Sequence, residues 1–277
     1  MPTQAELLDL YPDKPLKGQI AFVTGANSGI GEGIARHMAA AGASVGLNYV
    51  VNPEAADAIV VDIAANGGVA KAFQGDVSKE ADVVRMVGEA VQEFGALDIM
   101  VNNAGLQRDS EIAQMTLDQW NLVISINLTG QFLCAREAVK QFEKQGNRGV
   151  SSALGKIICI SSVHEIIPWA THVNYAASKG GIKLLSQSLA QELAPKKIRV
   201  NSIGPGAIKT PINKSAWDTP EAEAKLLELI PYGRVGVVDD IGKGAVWLAS
   251  DMSDYVIGTT LLIDGGMCLY PGFSTNG

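Results

Sequence analysis

Six residues, Gln19-Ile20-Ala21-Phe22-Val23-Thr24, run directly into Gly25-Ala26-Asn27-Ser28-Gly29-Ile30-Gly31. No other stretch limits the fold as tightly. A short apolar run with β-branched residues reads as a strand. The glycines make a turn, and a helical pattern from about Glu32 to Ala41 follows, stopped by Gly42. The spacing is G-x3-G-x-G, not the dinucleotide fingerprint G-x-G-x-x-G, but the mechanics carry over. Residues without side chains let the backbone approach a pyrophosphate. The helix N-terminus behind them offers free N–H groups and the positive end of a dipole. An ordinary glycine-rich turn is the plain alternative, and the place directly after a first strand favours phosphate binding.

The same alternation continues along the chain. Strands are expected at 44–51, 69–74, 96–101, 156–160, 198–203 and 259–263. Helices are expected at 53–65, from Ser78 as cap to Phe94, from Thr116 to about Lys144, at 175–194, and from Val238 to Ser250 with a cap near Asp239 or Asp240. Residues 212–230 read as one or two helices on an excursion long enough to be a lid. Strand–helix alternation implies an α/β fold: a Rossmann-type, doubly wound parallel sheet of about seven strands with helices on both faces. One domain from 19 to 277 is expected, preceded by an irregular extension, residues 1–18, that drapes over the surface.

Composition excludes several classes. With a net charge of -7 and no basic run, neither nucleic acid nor an anionic membrane is an expected partner. The start lacks a basic segment followed by an apolar core, so it does not read as a secretory signal. No apolar run approaches the ~20 residues of a membrane helix. The three cysteines, Cys134, Cys159 and Cys268, are odd in number and far apart, which suits reduced thiols and a cytoplasmic protein. His37, His164 and His172 show no metal-ligand spacing, so no metal is expected.

The chemistry-bearing positions fall at strand ends and on one helix. Tyr175 and Lys179, four apart, share one helix face. An ammonium held near a phenol favours the phenolate, so the pair is a plausible acid/base unit. Ser161 and Ser162 close a strand, and Val163-His164-Glu165-Ile166-Ile167-Pro168-Trp169 follows as an aromatic, polar loop at the carboxyl edge of the sheet. Asn127 and Gly130 interrupt a long helix, either as a functional break or as a kink without chemistry. Asp76 at a strand end could accept from an adenine amino group or serve as a turn residue. Asn103-Ala104-Gly105 leaves room for a flat ring against the backbone. Beyond the second strand, Asn48-Tyr49-Val50-Val51-Asn52 carries neither an acid for ribose hydroxyls nor an arginine for a 2′-phosphate.

Together, Thr24 to Gly31, Asn102-Asn103-Ala104-Gly105, Asn127, Ser162, and Tyr175 with Lys179 resemble the short-chain dehydrogenase/reductase family, over Thr24 to Tyr270. A closer resemblance, to bacterial glucose 1-dehydrogenases, rests on Ser161 to Glu165 with Ile167-Pro168-Trp169, on Tyr175 to Gly181, on Ile203 to Ile208 with Thr210 to Asn213, and on Asp264 to Met267 with Leu269-Tyr270-Pro271. The resemblance implies oxidation of a sugar hydroxyl, an aldose to its lactone, with NAD or NADP, by a homotetramer whose residues after Asp264 pack at an interface. It implies Asn127, Ser162, Tyr175 and Lys179 as the catalytic set. Asn127 would help hold a water that relays protons past Lys179. The cofactor would lie on Gly25, Asn27, Ser28, Gly29, Ile30, Gly31, Tyr49, Asp76, Val77, Asn103, Ala104, Gly105, Tyr175, Lys179, Pro205, Gly206, Ile208 and Thr210. Ser162, His164, Tyr175 and Gln107 would meet the substrate.

Some positions depart from that pattern. Val50 stands where those enzymes usually carry an arginine, and Gln107, beside Arg108, where they usually carry an acid. Arg108 reads as solvent-facing and Trp169 as a packing anchor. The loop near Gly149 to Gly155 and the N-terminal extension are both longer. Two other readings stay open: a keto-reductase of the same fold acting on another carbonyl or an acyl-carrier substrate, and a non-catalytic NAD(P)-binding sensor.

Overall fold

Seven strands, β1 (Ile20–Val23), β2 (Ser44–Tyr49), β3 (Val69–Gln74), β4 (Ile99–Asn102), β5 (Gly155–Ile160), β6 (Ile198–Pro205) and β7 (Thr260–Ile263), form one parallel sheet. Their order is β3-β2-β1-β4-β5-β6-β7. The computed structural model describes residues 3–269. Tyr270 and Pro271 therefore lie outside the described residues, as does most of the tail expected at an interface. The order reverses between β1 and β4, and such a switch point opens a ligand crevice at the carboxyl ends.

The strands are apolar throughout because both faces are covered. Ala21, Val23, Val45, Leu47, Ile99, Val101, Ile158 and Ile160 face one core. That core packs on α2 (Gly29–Ala40), α3 (Pro53–Ala65) and α9 (Val238–Ala249). The alternate residues Phe22, Met100, Ile157 and Cys159 face the second core, under α4 (Glu80–Phe94), α6 (Gly130–Gln145) and α7 (Val173–Leu193). Period-two alternation divides every central strand between two hydrophobic layers. The 211–231 segment holds a 3-10 turn, Pro211–Ala216, and α8 (Pro220–Leu227), neither with a buried residue.

Several expectations need correction. The extension is not irregular, and it does not merely drape. Thr3 caps α1 (Gln4–Leu8): its hydroxyl accepts from the Glu6 amide at 3.3 Å, and the Glu6 carboxylate accepts from the Thr3 amide at 2.8 Å. Leu7 and Leu16 are fully buried. Gln4 donates to the Arg36 carbonyl, Lys14 donates to the Ala40 carbonyl, and the Tyr11 hydroxyl lies 2.7 Å from His37 Nδ1. The extension is thus bonded along the back of α2. Second, α2 starts at Gly29, inside the glycine turn, rather than at Glu32. Third, Ser78 does not cap α4; Lys79 holds that place without a side-chain bond, and Ser78 donates instead to Asp76. Nor is α9 capped at Asp239 or Asp240: Val237 holds the cap position, and Asp240, inside the first turn, accepts from its amide.

The long helix expected from Thr116 is divided. Thr116 caps α5 (Leu117–Ile124), a π turn runs from Ser125 to Thr129, and α6 begins at Gly130. The break falls at Asn127, whose side chain is more useful elsewhere than in a regular helix.

Candidate active site

Thr24, at the end of β1, joins two loops. Its hydroxyl accepts from the amides of Asn103 and Ala104, at 2.9 and 3.0 Å. The Asn103 side-chain amide returns the tie, donating to the carbonyls of Thr24 and Gly25 at 2.9 and 3.0 Å. Asn48, buried on β2, accepts from the Gly25 amide and donates to the Gly75 carbonyl. Four strand ends are laced together before any ligand arrives. The backbone here needs glycine. Gly25 has φ +59°, and a Cβ on Gly31 would sit 2.2 Å from the Gly25 carbonyl oxygen. Ser28, before α2, makes no side-chain cap bond, so the first amides of that helix keep their donors for an anion.

The carboxyl ends of β4, β5 and β6 and the start of α7 close the other side. Lys179, 4% exposed, donates to the Ile160 carbonyl at 2.9 Å and lies 5.3 Å from the centre of the Tyr175 ring. Ser162 Oγ accepts from the His164 amide at 3.2 Å, which leaves its own hydrogen free to donate. His164 Nδ1 is 3.0 Å from the Ile167 carbonyl, and a carbonyl can only accept, so Nδ1 carries the proton. Burial lowers the proton affinity of this ring, with the Ile167 carbonyl pulling the other way. A neutral ring so bonded presents Nε2 as an acceptor. His164 stacks on Trp169 at 4.3 Å, Trp169 stacks on His172 at 3.6 Å, and both His164 and Trp169 lie edge-on to Tyr175 at 6.2 Å. Trp169 therefore anchors the loop by stacking.

These groups line a single cavity of about 1640 Å³. Of the residues expected at the site, Gly25, Asn27 to Gly31, Asp76, Val77, Asn103 to Gly105, Gln107, Ser162, His164, Tyr175, Lys179, Pro205, Gly206, Ile208 and Thr210 all line it. Tyr49 does not; Val50 and Val51 reach the cavity in its place. Arg108 is exposed and outside the lining. Asp76 accepts from the Ser78 amide and hydroxyl, so it is a turn residue that also faces the cavity. Among the described residues Lys179 is the only lysine or arginine in the lining, and no set of three or more His, Cys, Asp or Glu side chains converges on a metal position.

Asn127 stands behind the cavity wall. Fully buried, it accepts from the Leu106 amide at 2.9 Å and donates to the Leu106 carbonyl at 3.0 Å and to Ser178 Oγ at 3.1 Å. Both hydrogens of its amide are committed, and it fixes Leu106 beside Gly105. A water relay of the kind the resemblance implies would have to use the main chain of the π turn.

Sequence reasoning missed the bracing roles of Thr24, Asn48 and Gln131. A polar residue inside an apolar strand or helix face was the available signal. It also missed the apolar wall made by Ile212, Leu226, Leu229 and Met267. That wall comes from segments without periodic signal.

A family model described as enoyl-(acyl carrier protein) reductase matches residues 25–268. The chain is 46% identical over 264 residues to 3beta-hydroxysteroid dehydrogenase 1 of Eggerthella lenta, covering 95% of this chain and 98% of that protein. It is 40% identical over 261 residues to glucose 1-dehydrogenase 2 of Bacillus subtilis, covering 93% and 98%. A crystal structure of a gluconate 5-dehydrogenase from Burkholderia cenocepacia, in complex with NADP and tartrate, superposes with a TM-score of 0.84 at 34% identity, covering 91% of this chain and 96% of that one. The resemblance to glucose 1-dehydrogenases is therefore matched, and exceeded in identity, by that to a hydroxysteroid dehydrogenase.

Proposed function

The chain belongs to the short-chain dehydrogenase/reductase family, NAD(P)-dependent oxidoreductases acting on CH–OH groups, and from that premise we propose that it oxidises the ring hydroxyl of an aldose to the lactone. The observation that carries this reading is the polar trio around Tyr175. Ser162, His164 and Gln107 line the cavity together, and they supply a donor, an acceptor and an amide for a polyhydroxylated ring.

The glycine cradle and the open first turn of α2 fit a dinucleotide pyrophosphate. When bound, the nicotinamide supplies the hydride-accepting carbon. The protein supplies the remaining parts. Tyr175 takes the hydroxyl proton. Lys179 stabilises the charge on the tyrosine oxygen that accepts it. Ser162 donates to the reacting oxygen and orients it. Asn127 holds Leu106 in place, and Asn103 and Ala104 keep a flat floor next to it. Acid/base help of this kind is worth about 10²–10⁴-fold.

NAD is the preferred cofactor in this reading. The ribose corner offers Val50 and Val51, and Val51 O already accepts from Asn27 Nδ2 at 2.8 Å. With Lys179 as the one lysine or arginine in the lining among the described residues, a 2′-phosphate would have no charged partner among them. A cytoplasmic homotetramer is the proposed form; its assembly is supported by apolar side chains left exposed on two helices that cover the second core, Phe132 on α6 and Leu184 on α7.

A second reading has its own observation. The wall of Ile212, Leu226, Leu229 and Met267 would suit a bulky apolar alcohol, as in the hydroxysteroid dehydrogenase relative. One screen decides: reduction of NAD and of NADP, side by side, with aldoses, sugar acids and hydroxysteroids. Turnover on aldoses with NAD is expected. Turnover confined to hydroxysteroids selects the second reading, and turnover of Tyr175→Phe at the native rate with NAD still bound removes the acid/base assignment.

A further inference from the structure

Gln131 sits in the first turn of α6 and is 2% exposed, beside Leu133, Cys134 and Ala135 in the second core. A methionine would fill that place without a polar atom. The side-chain amide of Gln131 instead donates to the Ile160 carbonyl at 3.2 Å. The same carbonyl accepts from Lys179 Nζ at 2.9 Å. The main-chain carbonyl of Gln131 accepts in turn from the side-chain amide of Asn102, itself 1% exposed at the end of β4, at 3.3 Å. One oxygen thus joins β5, α6 and α7, and Asn102 ties the assembly to β4.

The amides are not there for a complete network. Gln131 Oε1 and Asn102 Oδ1 are both buried with no partner among the described residues. Such orphaned oxygens cost stability. A buried amide that keeps one orphan atom is explained by what its other atom does. Here the other atom is the donor on the carbonyl that holds the lysine.

We propose that Gln131 is a positioning residue, whose amide shares the Ile160 carbonyl with the Lys179 ammonium and so sets where that ammonium sits and how tightly it is held. The proposal rests on the reading that Tyr175 and Lys179 carry the proton transfer. A carbonyl oxygen has two lone pairs. Gln131 occupies one, which directs Lys179 to the other. The amide hydrogen also draws charge from that oxygen, and in a dry interior the change is felt by the neighbouring ammonium. Gln131 lies one residue into α6, directly after the π turn, and its amide faces β5. Around Lys179 the titratable groups are Tyr175 on its own helix and the Cys159 thiol on β5, which burial pushes up to about 12 and so keeps neutral.

Removing the amide leaves a more negative oxygen with a free lone pair. Lys179 then settles on Ile160 and serves Tyr175 less well. A more negative surrounding also favours protonated groups, so the acid limb of the kcat/KM profile for alcohol oxidation should move to higher pH. The test is Gln131→Met in the full-length enzyme, with Tyr175→Phe alongside. The expected result is a fall in kcat of about tenfold, the loss of about 1.4 kcal/mol of transition-state stabilisation. NAD affinity by calorimetry should stay unchanged, and the acid limb should rise by about half a pH unit or more. A folded variant with native kcat and profile overturns the proposal. So does a lowered melting temperature with lowered kcat and an unmoved profile, which marks a structural role only. Should Gln131→Met fail to fold, Gln131→Leu also removes the donor; its acid limb should rise likewise, and an unmoved limb again overturns the proposal. Loss of turnover in Tyr175→Phe with a native Gln131→Met removes this inference alone, whereas turnover retained in Tyr175→Phe removes the parent reading.

Discussion

The two sides of the cavity hold their residues by different means. On the cofactor side, Thr24, Asn48, Asn103 and Asn127 tie the ends of β1, β2 and β4 and the π turn through bonds across large sequence distances. On the substrate side, the 3-10 turn after Thr210 and α8 bury no residue, and Ile212 and Leu229 are more than half exposed. Its bonds are mostly local, as with Trp217 Nε1 donating to Asn213. One side is over-determined and presents backbone to a ligand of fixed shape. The other offers apolar surface that can change without disturbing the sheet. Chemistry and substrate choice are thereby separated in the fold.

Four measurements would break or sharpen that contrast. The largest effect is expected at Leu7, 1% exposed where the extension backs α2. Leu7→Ala should lower unfolding free energy by about 3 kcal/mol in a denaturant titration. A change near zero would detach the extension from the over-determined side. Next is Gly31→Ala, whose new Cβ would lie 2.2 Å from the Gly25 carbonyl oxygen and 2.4 Å from Asn103 Nδ2. NAD affinity should fall about 100-fold, as displaced binding geometry does elsewhere. Calorimetry giving native affinity would show the cradle to be soft.

The third concerns His37, fully buried between Tyr11 and Asp239, with Lys243 also acting on it. Burial lowers its folded-state proton affinity, against the pull of Asp239. The unfolded chain then takes up a proton first as the pH falls. The stability from this group is full above the ordinary histidine value of about 6.5 and is lost as the pH drops below it. Thermal melts between pH 5 and 8 should show that slope, flattened in His37→Gln; equal slopes would clear His37 of the effect. The smallest changes belong to the substrate side. Ile212→Ala and Leu229→Ala should each alter stability by less than about 0.5 kcal/mol, while KM for the alcohol changes. A large drop in melting temperature would erase the distinction between the sides.

The legible parts of the sequence follow the same line. The seven strands were readable because each is a short apolar run bounded by turn residues. The site motifs were readable because glycine, asparagine, tyrosine and lysine do recognisable things at strand ends. Thr3 and Glu6 also carry a capping signature in the sequence, yet the extension read as irregular, since three prolines masked a helix of five residues. Gln131 and Asn48 could not be placed from the sequence. Their partners lie 29 and 23 residues away, and nothing local says which carbonyl or amide will face them. The α8 segment carried no strong period because it has no core to match.

One feature of the lining bears on how the cofactor is held. If the diphosphate is bound by helix amides and glycine backbone, with Lys179 the only cation in the described wall, few mobile counter-ions are displaced on binding. Screening acts on separated exposed charges and hardly on oriented dipoles at contact distance. The dissociation constant for NAD should therefore stay nearly flat as ionic strength rises, and the enzyme would keep its cofactor in brine as readily as in dilute buffer.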